Sequence, residues 1–455
     1  MGVAREREPF DIYAIATACL AILGHVFSLE LLTMSVMLIS LCAFHLIYES
    51  LRPTLAVLLM FLYQCSVENS PSYPSFSDYY LTQGRGVWLA ILLASALATG
   101  AYVAVRRGLF ADFLRTPRFY AIPFALFALF LVTNGIFSGV WEVRDLIFGA
   151  VVAASLTLLP FIFIAAFREV ESYEFLEYFI LLAECCALIF IVETVELYLF
   201  GSVITDGIAD KGRILFGWGI WTTAGLDMAV LIPILFLGTL GERRPTVRFF
   251  LAHALYLCTL LTLSRNAIVF GTAAFAFSLA ITLRRASLRA RFLKIYGVIA
   301  AGVTFALPLL IDPLSGLFSD FIHRGFSDNG RYEMWRYGVH CFLESPLFGR
   351  GFFAIDTDAF AAENIFPKML HNTIFQLLAA CGITGLIGYL TWQISFLSVF
   401  FRKKSTECIM LSVSSVTFFM MSMLDSFLFH VQPAFVIMLG FAAAYKLSES
   451  HELVI

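Results

Sequence analysis

Asn-Thr-Ile-Phe-Gln-Leu-Leu-Ala-Ala-Cys-Gly-Ile-Thr-Gly-Leu-Ile-Gly-Tyr-Leu-Thr-Trp-Gln-Ile-Ser-Phe-Leu-Ser-Val, residues 372–399, contains no Asp, Glu, Lys or Arg from end to end. About 20 largely apolar residues suffice to cross a bilayer as a helix, so this stretch reads as a membrane span. Outward from it the pattern repeats. Apolar runs between charged breaks recur near residues 10–27, 30–49, 53–67, 86–106, 119–138, 146–167 and 175–200. Others lie near 225–240, 249–263, 266–283, 295–311, 407–428 and 431–447. The fold class this predicts is an all-α polytopic membrane protein of about 12–14 transmembrane helices.

Composition agrees. Of 455 residues, 60% are hydrophobic and 14% charged, and the 48 phenylalanines outnumber all 30 Lys and Arg. A soluble domain carries about 25% charged residues; this chain lacks the polar surface to cover a water-soluble fold. A net charge of −3 without a basic domain excludes a nucleic-acid partner. High hydrophobicity with low net charge excludes disorder. The start, MGVAREREPF, runs straight into a span without an A-x-A-like site, so no cleavable signal peptide is expected. The nine cysteines show no C-x-x-C and lie mostly in apolar runs; neither a disulfide framework nor a zinc site is expected.

Lys and Arg in short loops set orientation. The basic loops 106–118, 241–248, 284–294 and 402–404 fall on one side of a fourteen-span layout, and this predicts that side to be cytoplasmic together with both termini. Four regions follow: N-terminal transmembrane helices (1–200), core helices with external arginine motifs (201–311), a large external, periplasmic loop (312–371), and C-terminal transmembrane helices with a short cytoplasmic tail (372–455). The loop carries Tyr332, Trp335 and Tyr337 and reads as a folded helical cap, since loops this long are functional or disordered.

Three arginines stand on the predicted outer face against the positive-inside bias: Arg213 in Lys-Gly-Arg-Ile-Leu-Phe-Gly, Arg265 in Leu-Ser-Arg-Asn, and Arg331 in Asp-Asn-Gly-Arg-Tyr-Glu-Met-Trp. The plain explanation of each is snorkelling to the interface. The functional one is a guanidinium fork on phosphate. His371-Asn372 opens the span quoted above, and its histidine is either a satisfied interfacial residue or a base poised near neutral pH. His25, His45, His253 and His451 read as structural, with His323 and His340 as accessories in the loop. Glu184, Glu193, Glu196, Asp227 and Asp425 fall in or near spans, where carboxylates are costly; they suit a polar cavity or a proton-coupled transporter. Asp356-Thr-Asp358 is assigned to solvated loop surface.

Leu263-Ser-Arg-Asn, Gly330-Arg-Tyr-Glu-Met-Trp, Ser345-Pro-Leu-Phe-Gly-Arg-Gly351, His371-Asn-Thr and Cys381-Gly-Ile-Thr-Gly385 form an ordered series. The series resembles the O-antigen ligase and polymerase superfamily of polyprenyl-pyrophosphate-dependent membrane glycosyltransferases, over residues 205–390. The resemblance implies a GT-C-like, metal-independent, inverting transferase without a cofactor. Arg213 and Arg265, joined by Arg331, hold the donor pyrophosphate; His371 activates the acceptor hydroxyl; Asn372 and Ser264 are accessory. After Arg213 the family often has an Asn-containing turn, whereas this chain reads Gly217-Trp-Gly-Ile-Trp221. The implied partners are an undecaprenyl-pyrophosphate-linked glycan donor, an acceptor glycan or glycolipid, and membrane lipids, with the site on the outer face of the inner membrane. The leading expectation is a surface-polysaccharide polymerase. A ligase onto lipid A core is the alternative, and a proton-coupled transporter is the rival of another class.

Overall fold

A computed structural model describes residues 2–65, 84–109, 118–201, 203–205, 208–217, 219–285, 289–317, 330–355 and 367–449. In chain order the helices are α1 (Gly2–Val26), α2 (Glu30–Tyr48), α3 (Arg52–Cys65), α4 (Arg85–Arg106) and α5 (Arg118–Val132). Next come α6 (Val143–Ala166), α7 (Ser172–Leu199), the strand pairs β1 (Ile204–Thr205) with β2 (Ile208–Ala209) and β3 (Leu215–Phe216) with β4 (Gly219–Ile220), and α8 (Trp221–Gly238). The remaining helices are α9 (Pro245–Leu261), α10 (Arg265–Arg285), α11 (Arg289–Leu317), α12 (Arg331–Glu344), α13 (Thr373–Arg402), α14 (Thr406–Ser422) and α15 (Val431–Glu449). Among the described residues, nine helices are long and apolar enough to cross a membrane, and apolar stretches in α3, α5, α9 and α14 are shorter. The all-α polytopic reading stands. Two details differ from it. Both antiparallel hairpins lie in 204–220, where no strand was expected, and α11 continues to Leu317, into the stretch expected as loop. Asp356, Asp358 and His323 lie outside the described residues.

The chain divides into two units, Met1–Leu109 with Glu169–Gly325, and Phe110–Arg168 with Phe326–Ile455. In the first, α8 is the central helix, buried without a break from Thr223 to Gly238. A helix buried all round needs apolar residues on every face, and Leu-Asp-Met-Ala-Val-Leu-Ile-Pro-Ile-Leu-Phe-Leu supplies them with one exception, Asp227. It packs on α7, α9 and α10. Small residues set the distance to α10: a Cβ on Gly225 would come within 2.6 Å of Ala267 Cβ, the close approach that membrane helices use in place of a hydrophobic driving force.

The second unit is built on α13, which packs along α5, α12, α14 and α15. Phe124, Phe127, Tyr389, Trp392 and Phe396 fill its centre, in tilted or edge-on ring contacts of 5.2–6.0 Å. The uncharged run that reads as one span is broken. Gly382 adopts φ 67°, ψ −162° inside α13, a conformation that L side chains avoid. A break frees carbonyls within the helix, and these must find donors. Ser345–Gly351 supplies them. Arg350 N–H donates to Ala379 O (2.8 Å) and Gly351 N–H to Ala380 O (3.0 Å), while Ile383 N–H donates back to Pro346 O (2.9 Å). No side chain fits at the crossing: a Cβ on Gly349 would fall 2.2 Å from the Ala380 carbonyl carbon. The far side of this segment is tied as well. Gly135 N–H donates to Phe348 O at 3.0 Å, and Phe353 N–H donates to Asp145 Oδ1 at 2.8 Å. Two of the five quoted motifs thus have a structural role, joining the 345–355 turn to a kinked helix.

Candidate active site

In the second unit the approach to α13 is anchored on both sides of His371. Ahead of it, the buried Leu370 donates its N–H to Gln376 Oε1 at 2.7 Å. Behind it, Asn372 caps the helix: Oδ1 accepts from Ile374 N–H (2.8 Å) and Phe375 N–H (3.2 Å). Its Nδ2 donates to Met423 O at 2.6 Å, fastening the cap to the turn after α14. Asn is among the favoured N-cap residues because its oxygen satisfies these orphan donors. Between the anchors His371 is held at φ 53°, a left-handed conformation that costs a non-glycine residue of order 1 kcal/mol and concentrates at functional sites. Leu263, two residues before Arg265, is also left-handed, with φ 54°; Ser28, Glu49 and Arg244 complete this set among the described residues.

His371 Nδ1 lies 2.7 Å from Asp425 Oδ1. Asp425 also accepts Ser426 N–H at 2.9 Å. Burial drives this carboxyl towards its neutral form, yet the hydrogen bond and charge of His371, with Ser426 N–H, hold its pKa below the ordinary carboxylate value. An ionised Asp425 accepts from Nδ1, and in the neutral form of the ring Nε2 then presents its lone pair. Nε2 has no hydrogen-bond partner among the described residues, and the His371 side chain is 40% exposed against 10% for Asp425. The carboxylate is therefore enclosed while the imidazole has an open edge, as a general base requires.

Arg331 opens α12, with Nη2 3.9 Å from Asp425 Oδ2. That helix is fixed to the start of α13 by the Trp335–Phe375 stack (5.5 Å, 21°) and by Gly338, where a Cβ would fall 2.7 Å from Leu370 Cδ1. The structure thus brings three of the sequence-derived residues, Arg331, His371 and Asn372, into one cluster. Asp425 joins them; sequence reasoning had noted it only as a carboxylate near a span. The signal was an acid in Met-Leu-Asp-Ser-Phe, flanked by apolar residues and close to the end of α14, where an uncompensated charge needs a partner.

The other three belong to the first unit. Ser264 is buried and begins α10: Ile268 N–H donates to Ser264 O at 2.8 Å and Ala267 N–H reaches Ser264 Oγ at 3.5 Å. Arg265 is the first residue of α10, half-buried. Arg213 ends a 3-10 turn at Lys211–Arg213; its Nε is 3.2 Å from Asp210 Oδ2, and its side chain is half exposed. The Gly225 approach to Ala267 and Thr262 puts the first turns of α8 at the α9–α10 turn. Since β3 and β4 lead into α8, Arg213 and Arg265 lie at the same end of this unit.

The matched region runs from the first turn of α9 to Leu390 in α13. Residues 249–390 match the family model described as O-antigen ligase. The match covers about a third of the chain and agrees with the resemblance that the ordered motifs carry to the O-antigen ligase and polymerase superfamily. The matched region contains Ser264, Arg265, Arg331, His371 and Asn372, and ends before Asp425; Arg213 precedes it. No curated protein matches the chain significantly.

Among the described residues, no group of three or more His, Cys, Asp or Glu side chains is arranged to hold a metal ion. The acids that suit a transporter reading are partly accounted for. Glu184 Oε1 accepts from Arg248 Nε at 2.5 Å, and Glu193 Oε1 accepts from Gly217 N–H at 2.7 Å.

Proposed function

We propose that the protein transfers a glycan from undecaprenyl pyrophosphate to an acceptor sugar by a single inverting displacement, with His371 as general base. The observation that carries the reading is the His371 Nδ1–Asp425 Oδ1 contact of 2.7 Å, which leaves Nε2 basic and accessible. In the step, the acceptor oxygen bonds to the anomeric carbon as the carbon–oxygen bond to pyrophosphate breaks. The bonding pair leaves with the pyrophosphate, and the hydroxyl proton passes to Nε2. Asp425 touches neither substrate; it orients the ring and stabilises the imidazolium that forms.

Arg213, Arg265 and Arg331 are proposed to neutralise the leaving group. What supports this for Arg265 is its place at the first position of α10, where helix dipole and guanidinium are both positive and an anion relieves both. Arg331 is also a first helical residue, and it meets Asp425 only at 3.9 Å, so its fork is not saturated by that acid. Direct displacement with arginine neutralisation requires no metal. The acceptor is proposed to be a second lipid-linked repeat, making this a surface-polysaccharide polymerase; the ligase alternative differs only in the acceptor. The basic loops support a site on the outer face of the inner membrane.

The test is transfer from a purified lipid-linked donor, offered lipid-linked repeat or lipid A core as acceptor. Extension of the repeat supports the polymerase, and transfer to core the ligase. Uptake of a labelled solute into proteoliposomes without any glycan transfer overturns the enzyme reading.

A further inference from the structure

The segment that carries Arg213 is fastened to the first unit by a buried carboxylate to which the transfer reaction assigns no role. Glu193 lies in α7 and is 2% exposed. Its Oε1 accepts the Gly217 N–H at 2.7 Å, between strands β3 and β4, four residues beyond Arg213. A Cβ on Gly217 would fall 2.5 Å from Tyr63 Cε2 and 3.0 Å from Glu193 Oε1, so the hairpin reaches the carboxylate only because position 217 has no side chain. Two further contacts seat it: Ile214 and Phe216 are buried, and Phe216 meets Phe190 of α7 edge-on at 6.2 Å. His25 at the end of α1 places Nε2 3.7 Å from Glu193 and 3.5 Å from Glu196, so a cation can balance the buried acid.

A buried carboxyl group is an expensive acceptor for one backbone N–H inside an apolar helix bundle. Its return is a 2.7 Å hydrogen bond on a short hairpin with few bonds of its own. We propose that Glu193 is a positioning residue for the donor site: it holds the 211–220 segment so that Arg213 is preset for the pyrophosphate. This rests on the donor reading of Arg213 above. An arginine on a loose segment must be ordered at binding, and that cost appears as weaker affinity rather than slower chemistry.

The experiment measures KM for the lipid-linked donor, and kcat, in detergent-purified protein. Glu193→Ala raises donor KM on the order of tenfold with kcat nearly unchanged. Glu193→Gln, whose amide oxygen still accepts the Gly217 N–H, recovers most of it. The double variant Glu193→Ala/Arg213→Ala binds donor no more weakly than Arg213→Ala alone, because the carboxylate acts through the arginine. Additive losses, or a wild-type KM in Glu193→Ala beside an impaired Arg213→Ala, overturn the inference and leave the donor reading standing. A wild-type KM in Arg213→Ala overturns both. Should Glu193→Ala fail to accumulate, Gly217→Ala makes the same test with the carboxylate in place: its Cβ displaces the hairpin, KM rises, and combination with Arg213→Ala adds nothing further.

Discussion

Among the described residues, two carboxylate–cation clusters, one on Arg248 and one on His371, are finished differently. In the first unit Arg248 is enclosed, with a side-chain exposure of 4%. Nε donates to Glu184 at 2.5 Å, Nη2 to Glu177 at 2.8 Å, and Nη1 to Gly238 O at 3.0 Å. Every nitrogen of the fork has an acceptor, so nothing remains with which to bind or exchange a proton. In the second unit Asp425 is enclosed just as well, but its partner His371 is 40% exposed and keeps Nε2 open. Burial and pairing alone therefore do not mark a site. On the proposed reading, the mark is an enclosed group whose partner keeps one atom without a hydrogen bond among the described residues.

The largest expected effect separates the two clusters by chemistry. His371→Ala lowers transfer by about 10²–10⁴-fold while the protein accumulates and binds lipid-linked donor. His371→Gln, which hydrogen-bonds but takes no proton, stays equally inactive. A glutamine variant near wild type reduces His371 to an orienting group and erases the contrast.

Arg248→Ala works the other way. It leaves Glu184 and Glu177 without their cation, at about 3–5 kcal/mol for a broken buried pair, so protein accumulation and thermal midpoint fall. Transfer per folded molecule stays near wild type. Replacing Arg248, Glu184 and Glu177 together by Met, Leu and Gln recovers most of the midpoint, since removing a whole buried cluster is often neutral. Specific activity falling with Arg248→Ala in fully folded protein would make that cluster functional.

Asp425→Asn is the third in size. It removes the charge that holds the proton on Nδ1 and lowers kcat about 10–100-fold, with donor KM little changed because the arginines stay. A rise in donor KM at constant kcat moves Asp425, and Arg331 beside it, into donor binding instead.

The smallest expected effect is a separation along the pH axis. Because only the neutral ring of His371 accepts a proton, occupation of Nε2 stops transfer. Stability responds elsewhere. The folded pKa of Asp425 lies below its ordinary value, so its contribution is full above the unfolded carboxylate pKa, about 3.9, and is lost only as pH falls through the lower folded value. Activity and thermal midpoint, followed over one acid series, therefore report occupation of Nε2 and protonation of Asp425 respectively. Coincident loss of both in wild type, but not in Asp425→Asn, would mean that the pair itself opens as His371 is protonated.

Several of these groups were legible one at a time. The uncharged run at 372–399 announced a span, and the capping role of Asn372 follows from an amide directly before an apolar helix. Arg331 and His371 stood out because cations and histidine are costly at a membrane boundary. Their company was hidden. Arg248 counted only as one more basic residue in a loop, and Glu184 as an isolated intramembrane acid, although each is the other's partner 64 positions away. His371 and Asp425 are 54 positions apart; no helical period relates them.

By itself, then, the sequence determined what depends on composition and local order: helices throughout, membrane spans from apolar length, a span opening at His371-Asn372, and an ordered run of motifs resembling the O-antigen ligase superfamily. Those follow from transfer free energy and from hydrogen bonds closed within a few residues. The tertiary structure alone decided that Ser345–Gly351 supplies donors to carbonyls freed by the break at Gly382, that Arg248 is saturated, and that Asp425 leaves His371 one open nitrogen. Each of these depends on which polar atom, on a distant part of the chain, reaches a buried group first. In an apolar interior that choice is made by packing, because water is not there to make it.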